Sequence, residues 1–196
     1  MTQLKIDPIA PPSSGASSWF SPVLRRLALG YRRWAMARTD VSLGRVLSAA
    51  RSTMRRKKYC LLITRSEHGS DARVLQPFPP EDDFTVWLGT SIGSRKVAQL
   101  RHNDAATLVY QDDAKAACVV LVGRVRTVEE VEERRRRFMA TWWAFFPEGP
   151  AGSDFILLRF EPERIEVWDS ARRVTPPPFG LRSAAVAFTD GQWRCV

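Results

Sequence analysis

Histidine and cysteine are scarce in this chain, two and three respectively in 196 residues. His68 and His102 fall in a turn and at a helix end, and neither has a His or Cys at zinc-ligand spacing, so no metal site is expected. Cys60, Cys118 and Cys195 form no Cys-x-x-Cys pair, and two of them sit in apolar runs where a thiol packs as a small hydrophobe. That usage reads as a reduced, cytoplasmic chain rather than a disulfide-stapled secreted one. No run reaches the roughly 18 apolar residues that cross a bilayer as a helix, and the N-terminal stretch lacks the continuous apolar centre of a secretory signal. Acidic residues are also missing from one region: residues 1–60 hold 12 Lys/Arg but only Asp7 and Asp40, whereas the remaining chain carries 18 basic and 19 acidic side chains. The net charge of +9 therefore belongs to the N-terminal segment, not to the main domain.

Residues 1–18, with Pro8, Pro11, Pro12 and several Ser and Gly, hold too little apolar area to order themselves and are expected to form a disordered arm. Residues 19–41 read as a basic amphipathic helix: Pro22 suits a first helical position, and Val23, Leu24, Leu27, Tyr31 and Trp34 recur at helical spacing opposite Arg25, Arg26, Arg32 and Arg33. Three roles fit such a helix: packing on its own domain or a partner subunit, contact with an anionic membrane or nucleic acid, or organelle targeting. A second helix is expected from Ser42 to Lys58, with Leu43, Val46, Leu47 and Ala50 on one face.

From Tyr59 the period changes to that of strands. Tyr59 to Arg65 and Ala72 to Pro77 form a hairpin, and further strands are expected at Phe84–Leu88, Thr107–Gln111, Cys118–Thr127, Phe155–Phe160 and Arg164–Asp169. The run Cys118-Val119-Val120-Leu121-Val122 suits a strand covered on both faces, and six or seven such strands suggest a closed or partly closed barrel. A helix is expected to open with a Thr127/Glu130 capping box and to run through Arg134–Arg137 into Phe138, Met139, Trp142, Trp143, Phe145 and Phe146 before Pro147 and Gly149 end it. Glu130, Glu132 and Glu133 stand four residues ahead of Arg134, Arg136 and Arg137, so the arginine run reads as a neutral solvated face; the aromatics after it read as core or as an interface. Thr175-Pro176-Pro177-Pro178 is a stiff connector, and residues 175–196 form a Pro-rich C-terminal extension ending in a small hairpin.

The most informative stretch is Gly89-Thr90-Ser91-Ile92-Gly93-Ser94-Arg95-Lys96, between the apolar strand Phe84-Thr85-Val86-Trp87-Leu88 and a helix from Ser94 to Asn103. A helix start offers free N–H groups and partial positive charge. With hydroxyls, two cationic side chains and glycine clearance in the same turn, it suits a phosphate group; the alternative is an ordinary solvated Gly-Ser turn.

These residues, after a hairpin strand holding Arg73-Val74-Leu75, resemble the flavin mononucleotide (FMN) site of the pyridoxamine 5′-phosphate oxidase-like split barrels. The stretch Phe138-Met139-Ala140-Thr141-Trp142-Trp143-Ala144-Phe145-Phe146-Pro147-Glu148-Gly149 with Glu166-Val167-Trp168-Asp169 is similar to the general stress protein branch. The resemblance covers about residues 42–170. It implies a mainly β, α+β fold: an FMN-binding split β-barrel over residues 42–174, with flanking helices and an N-terminal helical extension. It further implies that Thr90, Ser91, Ser94, Arg95 and Lys96, with Arg73, hold the flavin phosphate, and that Val74 and Leu75 meet the isoalloxazine. A homodimer with flavin at the subunit interface is implied as well, with Trp168 approaching the ring from either chain. FAD or a deazaflavin coenzyme are the alternative cofactors. The chain departs from the pyridoxamine phosphate oxidases proper at Phe78, where they carry lysine, and at Cys118, near their glutamine, so vitamin oxidation is not expected. The resemblance implies a flavin-dependent oxidoreductase with an unidentified small-molecule substrate, or a non-enzymatic flavin-binding module whose basic helix docks elsewhere. No catalytic residue is assigned.

Overall fold

A computed structural model of the chain describes residues 22–178 and 180–196. The arm expected over residues 1–18 lies outside them. Helix α1 runs Pro22–Met36 and α2 Leu43–Arg56; β1 (Cys60–Ser66) and β2 (Gly69–Leu75) make the expected hairpin. β3 (Val86–Ser91) leads into α3 (Arg95–His102), followed by β4 (Ala105–Asp112) and β5 (Ala117–Val128). A short helix α4 (Val131–Arg136) precedes β6 (Phe155–Asp169), β7 (Ala184–Thr189) and β8 (Gln192–Cys195). None of the described helices is long and apolar enough to cross a membrane.

The eight strands form one antiparallel sheet in the order β2-β1-β4-β5-β6-β7-β8, with β3 paired to β6. β6 organises it. β5 lies along one of its edges, while the other edge is shared: Phe155–Phe160 pairs with β3 and Arg164–Val167 with β7. The sheet divides at that shared edge and curls around a core, which is the split-barrel arrangement. Leu62, Leu88, Leu108, Leu121, Leu158 and Phe160 fill the interior with no exposed surface. α2 closes one side by burying Val46, Ala49, Ala50, Thr53 and Met54, and each fully buried aliphatic side chain contributes about 1.5–3 kcal/mol.

Four sequence expectations are corrected here. Phe155–Phe160 and Arg164–Asp169 belong to one strand, because a bulge at Val122/Gly123 lets β5 follow β6 past Pro162. A Cβ on Gly123 would lie 2.1 Å from the Glu161 carbonyl oxygen, so only glycine permits that approach. The long helix over residues 127–146 does not form. Thr127 is still in β5, Glu130 makes no side-chain cap, and after the six residues of α4 the chain turns into a 3-10 segment at Ala140–Ala144. Pairing of β5 with β6 outweighs the local capping signal. The arginine run is also less uniform than the spacing implies. Arg134 donates to the carbonyls of Gly152 (3.0 Å) and Phe155 (2.8 Å), and Arg137 lies over the Trp87 ring at 3.8 Å. Finally, the β7–β8 hairpin is not an appendage: β7 extends the sheet and places Ala184 and Val186 in the core.

The run Cys118–Val122 is covered on one face only. Val119 and Leu121 are buried, while Val122 is 40 % exposed. Across the outer face, register aligns Val74, Leu61, Val109 and Val120 in one row over β2, β1, β4 and β5. Val74 is 62 % exposed and Leu61 38 %, leaving an aliphatic stripe at the surface.

Candidate functional site

Strand β3 ends at Ser91, and a tight turn through Ile92 and Gly93 brings the chain to Ser94, the N-cap position of α3. Ser94 is extended there (φ −74°, ψ 148°), and its carbonyl accepts from the Val97 and Ala98 amides. Its hydroxyl does not cap the helix: Ser94 Oγ is buried and has no hydrogen-bond partner in the structure. Beside it, Lys96 Nζ donates to Thr90 Oγ1 at 2.8 Å, and Thr90 is 5 % exposed. A lysine whose described acceptor is a neutral hydroxyl retains its whole charge for something else.

Arg73 reaches the same place from β2. Its guanidinium donates to Gln99 Oε1 (2.9 Å) and to Thr64 Oγ1, and lies 3.5 Å from Asp71 Oδ2. Gln99 Nε2 in turn donates to Asp71 Oδ2 at 2.7 Å. Thr64, Asp71 and Gln99 thus fasten Arg73 and α3 together. Burial depresses the basicity of both Arg73 and Lys96, and mutual repulsion adds to it: Arg95 acts on Arg73, and Arg73 acts on Lys96. Three cations share the turn with one carboxylate, Asp71, held below its usual range first by the Gln99 hydrogen bond. An anion seated there would relieve the repulsion and supply an acceptor for Ser94.

Thr90 joins this cradle to a cleft of about 550 Å³. One wall is Val74, Leu75 and Gln76 of β2; the floor is Gly89, Thr90 and Ser91 of β3; Thr141, Trp142, Phe145 and Phe146 stand opposite. The aromatics expected as core or interface divide between core and surface. Trp142 is 6 % exposed and packs edge-on to Phe78 and Phe138, whereas Trp143 and Phe145 are 54 % and 72 % exposed. A Cβ on Gly89 would meet the Trp142 ring at 2.3 Å, so the bare backbone lets the indole lie against the floor. The cleft is apolar and aromatic at one end and cationic at the other, matching a flat heteroaromatic group that carries a phosphate.

Seven of the predicted site residues thus adjoin one another: Val74, Leu75, Thr90 and Ser91 in the cleft, and Arg73, Ser94 and Lys96 at its cationic end. Arg95 follows on the exposed side of α3. Trp168 is not among them within one chain. Its indole Nε1 donates to the Gly180 carbonyl at 2.7 Å, in a separate hollow with Tyr31 and Trp34. Sequence reasoning missed Thr64, Asp71 and Gln99. The signal was periodicity: Asp71 and Arg73 share a strand face, and Gln99 stands one helical turn after Lys96. Gly89-Thr90-Ser91-Ile92-Gly93 also carries the Gly-x-Ser-x-Gly spacing of a hydrolase nucleophile elbow, but among the described residues no histidine or carboxylate lines the cleft, so the His–acid pair of that elbow is missing there. Among the described residues no cluster of His, Cys, Asp and Glu can hold a metal.

A family model described as "Pyridoxamine 5'-phosphate oxidase like" matches residues 48–190. Among solved structures, a Clostridium acetobutylicum protein related to general stress protein 26 is similar, at 21 % identity and a TM-score of 0.59 over 64 % of this chain and 89 % of that one. A pyridoxamine 5'-phosphate oxidase-related, FMN binding protein from Nostoc punctiforme aligns at 15 % identity and a TM-score of 0.55, covering 80 % and 99 %. PhzG from Burkholderia lata, in complex with tetrahydrophenazine-1-carboxylic acid, aligns at 17 % and 0.55, covering 87 % and 90 %. At these identities the likeness is one of fold. Comparison with curated proteins gives no match.

Proposed function

The chain belongs to the pyridoxamine 5'-phosphate oxidase-like family, and from that premise we propose that it is an FMN-binding protein whose phosphate seat is the turn from Thr90 to Lys96. One observation carries the reading: a buried, unpartnered Ser94 hydroxyl at a helix start, beside a lysine and an arginine that outnumber Asp71, the one carboxylate the described residues pair with them. Lys96, Arg73 and Arg95 supply charge, Thr90 and Ser94 hydroxyls, and the first turn of α3 free N–H groups. Val74 and Leu75 offer an apolar edge, and Trp142 with Phe146 a flat wall that excludes water. The Nostoc relative being FMN-binding supports the choice of ligand.

Bound flavin would supply two-electron redox chemistry on a small molecule, making the protein an oxidoreductase. The cleft's own lining carries no carboxylate or histidine, so the residues' part is holding, orienting and drying the site. The same bareness suits the alternative of a flavin-binding module without turnover. We read the aliphatic row of Val74, Leu61, Val109 and Val120 as a homodimer interface: Val74 and Leu61 are exposed, and Val74 belongs both to the row and to the cleft, which would set flavin at the subunit boundary. Three unpaired cysteines, one of them buried, suit a reducing cytoplasm.

The visible spectrum of the purified protein tests the ligand. An FMN-type chromophore, or uptake of FMN on titration, is expected; a protein that takes up neither FMN nor FAD nor a deazaflavin would sink the reading. Emission of the released chromophore separates deazaflavin from flavin, and its mass separates FAD from FMN.

A further inference from the structure

α1 is an amphipathic helix that the rest of the described chain leaves at the surface. None of its residues is buried. Leu24 and Leu27, on one face, are 53 % and 63 % exposed, and Trp34, on the same face, is 47 % exposed. The domain-proximal end is fastened: Trp34 stands 5.5 Å from the Arg173 guanidinium, and the Asp40 amide donates to the Arg173 carbonyl at 3.2 Å. Arg25, Arg26, Arg32 and Arg33 fill the opposite side, and no Asp or Glu occurs from residue 8 to residue 39.

An exposed apolar face needs an apolar partner, and the arginines decide which kind. Two copies packed through the apolar faces of α1 would cover the leucines but leave all eight arginines on the outer sides without an anionic partner, since neither helix carries a carboxylate. A nucleic-acid backbone would pair with the arginines but leave Leu24 and Leu27 in water. A bilayer surface with anionic headgroups takes both faces at once: the leucines enter the acyl boundary while the arginines meet phosphates. We propose that α1 is an interfacial helix that lays its Leu24/Leu27 face on an anionic phospholipid surface and so carries the barrel domain to the membrane.

The full chain is tested by co-flotation with phosphatidylcholine vesicles, with and without phosphatidylglycerol, at low ionic strength. Binding is expected only to the anionic vesicles and should weaken as salt rises. Each arginine near an anionic leaflet changes the partition coefficient about fivefold, so Arg25→Gln, Arg26→Gln, Arg32→Gln and Arg33→Gln together lower it by roughly two to three orders of magnitude. Leu24→Glu with Leu27→Glu should abolish flotation while leaving the thermal midpoint of the domain unchanged, because no α1 side chain is buried. Equal binding to neutral vesicles, or binding indifferent to the leucine pair, overturns the proposal. So does failure to bind vesicles, whether accompanied by binding of duplex DNA that survives Leu24→Glu/Leu27→Glu, by a concentration-dependent mass shift that needs Leu27, or by neither.

Discussion

Replacing Lys96 with methionine separates the phosphate seat from every other reason for a lysine to stand there. The stem still packs, but the ammonium goes. Lys96 donates to Thr90 Oγ1 at 2.8 Å, a bond to a neutral acceptor whose net worth is about 1 kcal/mol. Against that loss, the charged amine is half buried and repelled by Arg73, both of which push its pKa down. A base depressed by folding holds its proton more tightly in the unfolded chain, so at neutral pH the charge works against folding. That handicap fades only as pH rises toward the ordinary lysine range. The two effects oppose each other, and the ligand-free Lys96→Met protein should match the parent in stability to within about 1 kcal/mol.

FMN binding should respond quite differently. A hydrogen bond from lysine to a phosphate dianion is charge-assisted and worth about 1.5–3 kcal/mol, so the Kd for FMN should rise roughly 10- to 150-fold. Riboflavin, which has the ring and ribityl chain but no phosphate, should bind both proteins equally. Flavin-fluorescence titration with the two ligands on the two proteins closes the cycle, and the coupling between Lys96 and the phosphate is read directly. Inorganic phosphate should raise the thermal midpoint of the parent protein and raise that of Lys96→Met less. The reasoning fails if Lys96→Met weakens riboflavin as much as FMN, or leaves FMN affinity unchanged.

Gly123→Ala should cost about 3 kcal/mol or more in chemical denaturation, because the new Cβ meets the Glu161 carbonyl at 2.1 Å and neither backbone can yield. Gly89→Ala meets the movable Trp142 ring instead, at 2.3 Å; it should cost about 1–3 kcal/mol and weaken flavin binding by displacing a cleft wall. Burial pushes the Cys60 thiol from 9.0 up to about 12, and the adjoining Tyr110 phenol is pushed up as well. Both groups keep their protons longer folded than unfolded, so stability is full below about pH 9 and falls toward pH 12, by up to about 1.4 kcal/mol per pH unit for Cys60 alone. Urea midpoints across that range should decline, and less steeply in Cys60→Ala. Val74→Asp should convert a dimer to monomers by light scattering and loosen flavin with it; a dimer that persists would remove the aliphatic row from the interface.

How far the sequence led depended on whether a feature was local. The hairpin of β1 and β2, the strand-turn-helix from β3 to α3 and the apolar face of α2 are fixed by neighbours in the chain, and all were legible from periodicity and turn residues. Thr127 to Phe146 was misread because its capping and helical signals are local, whereas β5 continues through Val128 to pair with Leu157, 29 residues on. Pro162 broke the pattern of β6 for the same reason: its neighbours suggest a stop, and only the bulge opposite at Gly123 explains why the strand continues. The site divides along this line. Ser94, Arg95 and Lys96 could be read from one turn, but the cradle's charge balance depends on Arg73 being carried over from β2, and Arg73 is held by Thr64 on β1 and Gln99 on α3. With Arg73 and Lys96 pressed together and Ser94 left without a partner, the segments make the proposed anion seat only when folded. On the proposed reading, substrate choice would lie further out, at exposed Phe145 and at the edge of the cleft beside the Val74 row. There a second subunit would finish the wall, and no spacing within one chain encodes that meeting.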